Sequence, residues 1–286
     1  MLVKRNIQLF FRDKANVFFS LLGVLVILML YILFLGDLME QGLRAGLGFD
    51  SDQIRPAMAS IILAGMVAVT SVTSCLGALG TKVEDRGVAG RDFLTSPISR
   101  GKLTRSYMLG TAAVGLIMTL VMLVLSVIYL AAVGGGLPRI GDWGRLLFTV
   151  VLSVLCANAM MVFATSFIRS QNAFSALSAV IGTLIGFLMG IYIPIGTLPD
   201  AVQWIIRLFP MSHAASMFRQ ILADGPLRAL FEGAPPEVLE GFRETYGIVF
   251  AYGDYTSGFW FSAVVLAVTT VVFYGLSVAV ARRQRG

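Results

Sequence analysis

The side chains able to do chemistry are few in this sequence, and most lie outside its apolar segments. There is one histidine, His213, and there are two cysteines, Cys75 and Cys156. One imidazole excludes multi-histidine metal ligation, and two thiols exclude a disulfide framework or a cysteine-rich metal site. No G-x-x-x-x-G-K-[ST] loop occurs. The nearest run, Ser96 to Leu103 (SPISRGKL), lacks the first glycine and the hydroxyl after Lys102, so the chain does not cradle a nucleotide by that route. G-x-S-x-G and H-E-x-x-H are absent as well. The charged and motif-like residues gather in three places. Arg5 and Arg12 lie in the first sixteen residues; Glu84, Asp85, Arg86, Asp92 and Arg100 lie in a mixed-sign stretch that contains Ser96–Pro97; and His213 and Arg219 follow Pro194, Pro199 and Pro210. A mixed-sign loop suits docking on a partner protein, and its plainer alternative is a solvated loop. His213 titrates near neutral pH and could pass protons. Its plainer reading is a ring that satisfies a backbone carbonyl at a corner.

The elements that position these residues follow from composition. The chain has 286 residues, of which 57% are hydrophobic and 13% charged, with a net charge of +6. Soluble domains carry about 25% charged residues. Half that value excludes a disordered chain, a basic nucleic-acid module and a water-soluble globule. Six segments reach the length of about 20 apolar residues that a bilayer core requires. They are Phe18–Leu35, Pro56–Gly80, Tyr107–Val133, Leu146–Ile168, Ala173–Ile195 and Gly258–Ala281, and none contains Asp, Glu, Lys or Arg. The first is too long for a cleavable signal peptide and no small-x-small site follows it. Both cysteines fall inside spans, where a small apolar packing group is the expected role.

The charge sorts by side. With the N-terminus in the cytoplasm, the inner segments hold fourteen basic and four acidic side chains, and the outer segments hold eight and twelve. The overall +6 becomes +10 inside and −4 outside. The positive-inside rule therefore places both termini in the cytoplasm. The expected architecture is an all-α integral membrane protein of six transmembrane helices forming a single unit over residues 1–286. Residues 1–16 place Val3, Ile7, Phe10 and Phe11 on one helical face and Lys4, Arg5, Gln8 and Arg12 on another. That is the pattern of a helix in the headgroup plane, with a simple basic insertion flank as the alternative. Residues 81–106 form the large cytoplasmic loop, in which Asp92–Leu94 ahead of Ser96–Pro97 fits a short helix stopped by proline. Residues 196–257 form the outer loop. It opens with two amphipathic stretches on either side of Pro210, each long enough for half a bilayer. They predict a helical hairpin re-entering the outer leaflet, with a pair lying flat on the surface as the alternative. Pro235–Pro236 then starts a short surface helix.

The spans keep no ionisable group except tyrosines, which counts against a proton-coupled carrier but not against sodium coupling through carbonyls and hydroxyls. Thr70, Thr73, Ser74 and Gly77 fall on one stripe of the second span, Asn158 lies in the fourth, and Ser178, Gly182, Gly186 and Gly190 run along the fifth. The small residues permit close helix approach. The same ridge could also line a translocation seam at a dimer interface.

These features together resemble the ABC type-2 permeases, the membrane subunits of ATP-driven exporters. Asp85, Arg86, Gly87, Leu94, Ser96, Pro97, Ile98, Ser99 and Arg100 look like the family's E-x-x-G…L-x-x-P-[IV]-S-R pattern, with Glu84 or Asp85 at the acidic position. Pro194, Leu198, Pro199, Pro210, His213 and Arg219 look like its P-x-x-x-L-P…P-x-x-H-x-x-x-x-x-R run. The resemblance spans essentially the whole chain. It implies no catalytic residue and no cofactor on this chain, with ATP and Mg held by two copies of a separate cytoplasmic ATPase subunit. It also implies a second permease subunit, identical or closely homologous, in the cytoplasmic membrane of a prokaryote. Arg5, Arg12, Glu84, Asp85, Arg86, Asp92, Pro97 and Arg100 would form the coupling surface. The polar second span and glycine-ridged fifth would flank the pathway, and the outer hairpin would shape the exit. The substrate would be a drug, an antimicrobial peptide or a lipid-like molecule, with lipid-linked polysaccharide as the alternative within the family. The partners are protein and membrane lipid, with no nucleic acid. A nucleotide-independent carrier or channel explains six spans but not the mixed-sign loop.

Overall fold

The computed structural model of the protein describes residues 2–47, 51–84, 100–168 and 170–283. The Asp85–Ser99 stretch, with Asp85, Arg86, Asp92, Pro97 and the expected short helix, lies outside the described residues. Twelve α-helices occur among the described residues. They are α1 (Leu2–Arg12), α2 (Lys14–Leu30), α3 (Gly36–Leu47), α4 (Ile54–Glu84), α5 (Arg100–Ala132), α6 (Asp142–Ser166), α7 (Gln171–Leu188), α8 (Asp200–Leu208), α9 (Pro210–Leu222), α10 (Asp224–Leu230), α11 (Pro236–Thr245) and α12 (Phe259–Arg283). Five helices are long and apolar enough to cross a membrane, or six when the bent pair α2 and α3 is counted as one span.

Helix α4 is the core. Its small residues Ala64, Ala68, Ser71, Cys75 and Ala78 recur at spacings of four and three and are all buried. Small residues let helices approach where lipid gives no hydrophobic drive for association. A Cβ at Gly115 of α5 would lie 2.5 Å from the Cys75 Sγ, and one at Gly77 would lie 2.9 Å from the Ser20 Cβ of α2. Helices α5, α6 and α9 pack around α4, and α12 packs on α6 and α9. In contrast, α7 and α12 leave most of their surface outside the bundle. Buried hydroxyls bond back to their own helices: Thr70 Oγ1 donates to the Met66 carbonyl at 2.8 Å, and Thr149 Oγ1 to that of Arg145 at 2.7 Å. A hydroxyl with no water nearby has few other partners.

Three segments differ from the sequence expectation. The first apolar run does not end near Leu35. It passes through a π-helical turn at Tyr31–Leu35 into α3, with a bend of 52° between Ser20–Phe34 and Gly36–Arg44. The Gly36 N–H reaches the Tyr31 carbonyl, and a Cβ at position 36 would stand only 2.9 Å from that oxygen, so glycine is what admits the wider turn. The fifth run stops at Leu188 instead of Ile195. Gly190 adopts φ +60°; its N–H bonds to the Phe187 carbonyl at 2.9 Å and the Ile191 N–H to that of Gly186 at 3.0 Å. This left-handed glycine ends the helix in a Schellman motif. Finally, the segment between α7 and α12 holds more structure than periodicity indicates. Besides α8, α9 and the expected proline-led α11, it contains α10 and a small antiparallel hairpin pairing Ala251 with Thr256 and Tyr252 with Tyr255. Gly253, at φ +64°, makes its turn.

The two ends of the bundle differ. One end carries α1, the C-terminus of α4, the N-terminus of α5, the α6–α7 turn and the C-terminus of α12. The other, the loop end, carries α3, the α5–α6 connection and everything from Met189 to Gly258. There, Leu43, Ile54, Met58, Ile61, Leu227, Phe231 and Phe242 form a second apolar core under the loops.

Candidate functional site

Arg219 organises the loop end. It is fully buried in α9, and among the described residues it pairs with no carboxylate. Its guanidinium spreads over four backbone carbonyls instead. Nε donates to Ile61 of α4 at 3.2 Å, Nη1 to Gly247 after α11 at 3.3 Å, and Nη2 to Met189 at 2.6 Å and Gly190 at 3.0 Å. The last two belong to the exposed negative end of the α7 dipole, which favours a cation there. Two glycines make the room. A Cβ at Gly65 or at Gly247 would lie 3.2 Å from a guanidinium nitrogen, and Gly247 has φ +62°. Arg219 therefore ties α4, α7, α9 and the segment after α11 together.

His213, one turn and a half earlier on α9, closes the opening of the same hairpin. Its Nε2 lies 3.0 Å from the Arg207 carbonyl at the end of α8, and its Nδ1 lies 3.1 Å from the Ser262 hydroxyl of α12. A carbonyl partner assigns the proton to Nε2, leaving Nδ1 to accept from Ser262. The Tyr252 hydroxyl donates to the same Arg207 carbonyl at 2.9 Å. Burial pushes the Tyr252 phenol up, against the opposing effect of Arg207, so it stays a neutral donor. Phe250 and Phe261 pack on the imidazole with ring centres 5.1 and 5.9 Å away. Between the two legs, Pro210 occupies the first turn of α9, and the Ser212 hydroxyl donates to the Ile206 and Phe209 carbonyls. Pro194 and Pro199 flank a short 3-10 turn at Ile195–Thr197 and lead into α8. The structure thus brings Pro199, Pro210, His213 and Arg219 into one assembly with Met189 and Gly190.

Inside the bundle, Asn158 is fully buried and joins three helices. Its Oδ1 accepts from Thr111 Oγ1 at 2.7 Å, and its Nδ2 donates to the Met108 carbonyl and the Tyr274 hydroxyl, both at 2.9 Å. The other residues considered for a pathway are dispersed. Thr70 and Ser74 of α4 are fully buried and Thr73 is half-buried, and the Ser74 hydroxyl has no partner among the described residues. On α7 the three glycines do separate things. Gly182 is exposed in open space, Gly186 receives the Tyr192 ring from its own turn, and Gly190 is the helix cap. Within one copy they make no continuous packing ridge. Ser178 Oγ is buried without a partner among the described residues.

At the opposite end, α1 lies against the bundle rather than apart from it. Phe10 is fully buried with Ala78, Val114 and Met118, and a Cβ at Gly110 would lie 3.0 Å from that of Asn6. Lys4, Gln8 and Arg12 point outward. The α1 helix therefore bridges the end of α4 and the start of α5, the two helices that flank the 85–99 stretch. Glu84 and Arg100 are the last and first residues of those helices.

The description "ABC-2 type transporter" belongs to the family model that matches residues 1–223. The chain is a member of the ABC-2 type transporter family. The match ends one residue after α9, so helices α1 to α9, and every motif residue from Arg5 to Arg219, lie within it, while α10, α11 and α12 lie beyond it. No curated protein matches the chain. An ABC-2 membrane domain is the transmembrane component of an ABC transporter, it is not itself the catalytic one, and membership implies association with an ABC ATPase subunit. Sequence reasoning about this ABC-2 protein missed Arg207, Tyr252, Ser262, Gly65 and Gly247 as partners of the motif residues, and Thr111 and Tyr274 as partners of Asn158. Contacts that join distant helices leave no periodicity in the sequence. The only usable signal was a buried-type polar residue, such as Asn158, within an apolar run.

Proposed function

We propose that the chain is the permease subunit of an ABC exporter. It moves a hydrophobic or amphipathic substrate, such as a drug, an antimicrobial peptide or a lipid-like molecule, outward across the cytoplasmic membrane of a prokaryote. Two copies of a separate ATPase subunit supply the energy with their own ATP and Mg, and a second permease subunit, identical or homologous, completes the pathway. The observation that carries this reading is the placement of α1 across the ends of α4 and α5. The proposed coupling surface joins the basic α1 to the mixed-sign 81–106 segment, whose flanking helix ends at Glu84 and Arg100 lie at the end where the positive-inside rule puts the cytoplasm. Arg5, Arg12, Glu84, Asp85, Arg86, Asp92, Pro97 and Arg100 are its residues.

Helix α4 connects that surface to the exit. Its 31 residues span about 46 Å at 1.5 Å per residue. Near its far end, the Ile61 carbonyl is held by Arg219, which also holds α7 and α9. A displacement of the coupling surface when the ATPases close therefore reaches the hairpin through one packed helix. The hairpin, with α9 inserted between α4, α6 and α12, re-enters the outer leaflet and shapes the exit. Substrate binding shifts the inward and outward states only by its differential affinity for them. Reversing the charges of Glu84, Asp85 and Asp92 to lysine should leave the permease inserted but lower substrate-stimulated ATP hydrolysis and export at least tenfold. Unchanged ATPase binding and export in the triple variant would remove the coupling assignment.

A further inference from the structure

Helix α8 is built the wrong way round for a surface that meets water. After the exposed Asp200 of its first turn, its polar side chains turn inward. Gln203 Nε2 donates to the Leu198 carbonyl at 2.8 Å, Arg207 Nη1 to the Ala251 carbonyl at 2.8 Å, and Arg207 Nη2 to Gln203 Oε1 at 2.9 Å. Ile206 anchors the same side in the protein. The outward face is Ala201, Trp204, Ile205 and Leu208, with Ile205 58% and Leu208 72% exposed. Water would favour the reverse arrangement.

A second, independent observation concerns the tryptophans. The chain has three, and all lie at the loop end: Trp143 at the start of α6, Trp204 in α8 and Trp260 at the start of α12, with exposures of 38%, 47% and 67%. Trp260 packs 6.0 Å from Phe148, so Trp143 stands only five residues nearer the loops. Trp204 lies 6.1 Å from Tyr252, which reaches His213 and through it Ser262 of α12. The three indoles therefore share one level within about two helical turns. Cations accompany them, with Arg207 5.5 Å over Trp204 and Arg145 4.9 Å over Phe259. Exposed tryptophans on one level, with arginines beside them, mark a membrane–water boundary. Below it, the outward face of α12 continues as exposed Val264, Val268 and Val271.

We propose that α8 lies in the headgroup plane of the leaflet at the loop end, with its Trp204–Ile205–Leu208 face covered by phospholipid acyl chains. The two legs of the hairpin thus have different solvents: α9 is embedded in protein and α8 in lipid. This deepens the hairpin reading above and rests on it, but not on ATPase coupling or on the substrate. The test uses the full chain carrying Leu208→Cys with a nitroxide label, reconstituted in phosphatidylcholine–phosphatidylglycerol vesicles; Cys75 and Cys156 are buried. Power saturation should show high oxygen access and low access to a water-soluble nickel chelate, at a depth of about 5–10 Å. High nickel access would place α8 in water, and low access to both reagents would place it under a second copy of the chain; either overturns the proposal. The unmodified protein gives a parallel reading. Phosphatidylcholine brominated near the headgroup should quench its tryptophan emission more strongly than aqueous iodide does, and the opposite order would contradict the placement. Co-purification of an ATPase with the same preparation reports separately on the permease reading.

Discussion

A guanidinium without a carboxylate partner is stable in a packed interior only when other dipoles replace its water. Arg219 meets that requirement with carbonyls from three segments, two of them at a helix C-terminus. A methionine of similar length would leave those carbonyls without their donor. Arg219→Met should therefore lower stability by about 3–5 kcal/mol, the range for breaking a buried charged arrangement, read as a fall in thermal midpoint in detergent. Arg219→Lys keeps the charge but offers a point donor where a fork is needed, and should recover less than half of the loss. Asn158→Leu removes one acceptor and two donor contacts between α5, α6 and α12, and should cost about 1–3 kcal/mol. The same unfolding measurement reads it. The resemblance to the family's proline–histidine–arginine run singled out Pro210, His213 and Arg219, and the apolar run around Asn158 placed it in a span. Neither could show that His213 reads a carbonyl and a serine, because Arg207 and Ser262 lie on other helices.

At the scale of elements, long apolar runs fixed the existence of the spans, and local backbone chemistry fixed their ends. The periodic pattern carries no sign that Gly190 would take φ +60° or that Gly36 would widen a turn. Both glycines look like parts of an apolar helix when read as letters. Gly190→Ala adds left-handed strain and brings a methyl group to 2.6 Å from the Ile195 side chain. It should destabilise the protein by about 1–3 kcal/mol and loosen the α7 terminus on which Arg219 depends. Hydrogen exchange at Met189 to Ile191 should accelerate in that variant. Gly115→Leu should separate α4 from α5, since even a Cβ there stands 2.5 Å from Cys75 Sγ. A cysteine introduced opposite, or the reactivity of Cys75 itself toward a small membrane-permeant thiol reagent, measures that opening. The amphipathic α1 was legible as a helix, and its face with Phe10 was legible as apolar. That this face packs on Ala78 and Val114, rather than only on lipid, requires the tertiary structure.

The whole molecule is a bundle with two unlike ends joined by one central helix. The excess of basic residues collects at the end where α1 bridges α4 and α5, and the acidic excess collects among the loops at the other. Membership of the family implies association with an ABC ATPase subunit, which in the proposed function supplies the energy for transport. Physical association at the α1 end is therefore what the proposed function requires first. Its most direct measurement is purification of the tagged full chain from its native membranes, with the bound proteins quantified by mass. An ATPase with a phosphate-binding glycine loop should be recovered at about one copy per permease copy, cross-linking to α1 and to residues 81–106 and to no residue between 189 and 258. A permease that exports its substrate with no such ATPase bound, or one that cross-links to it through the loop end, would contradict the proposed function.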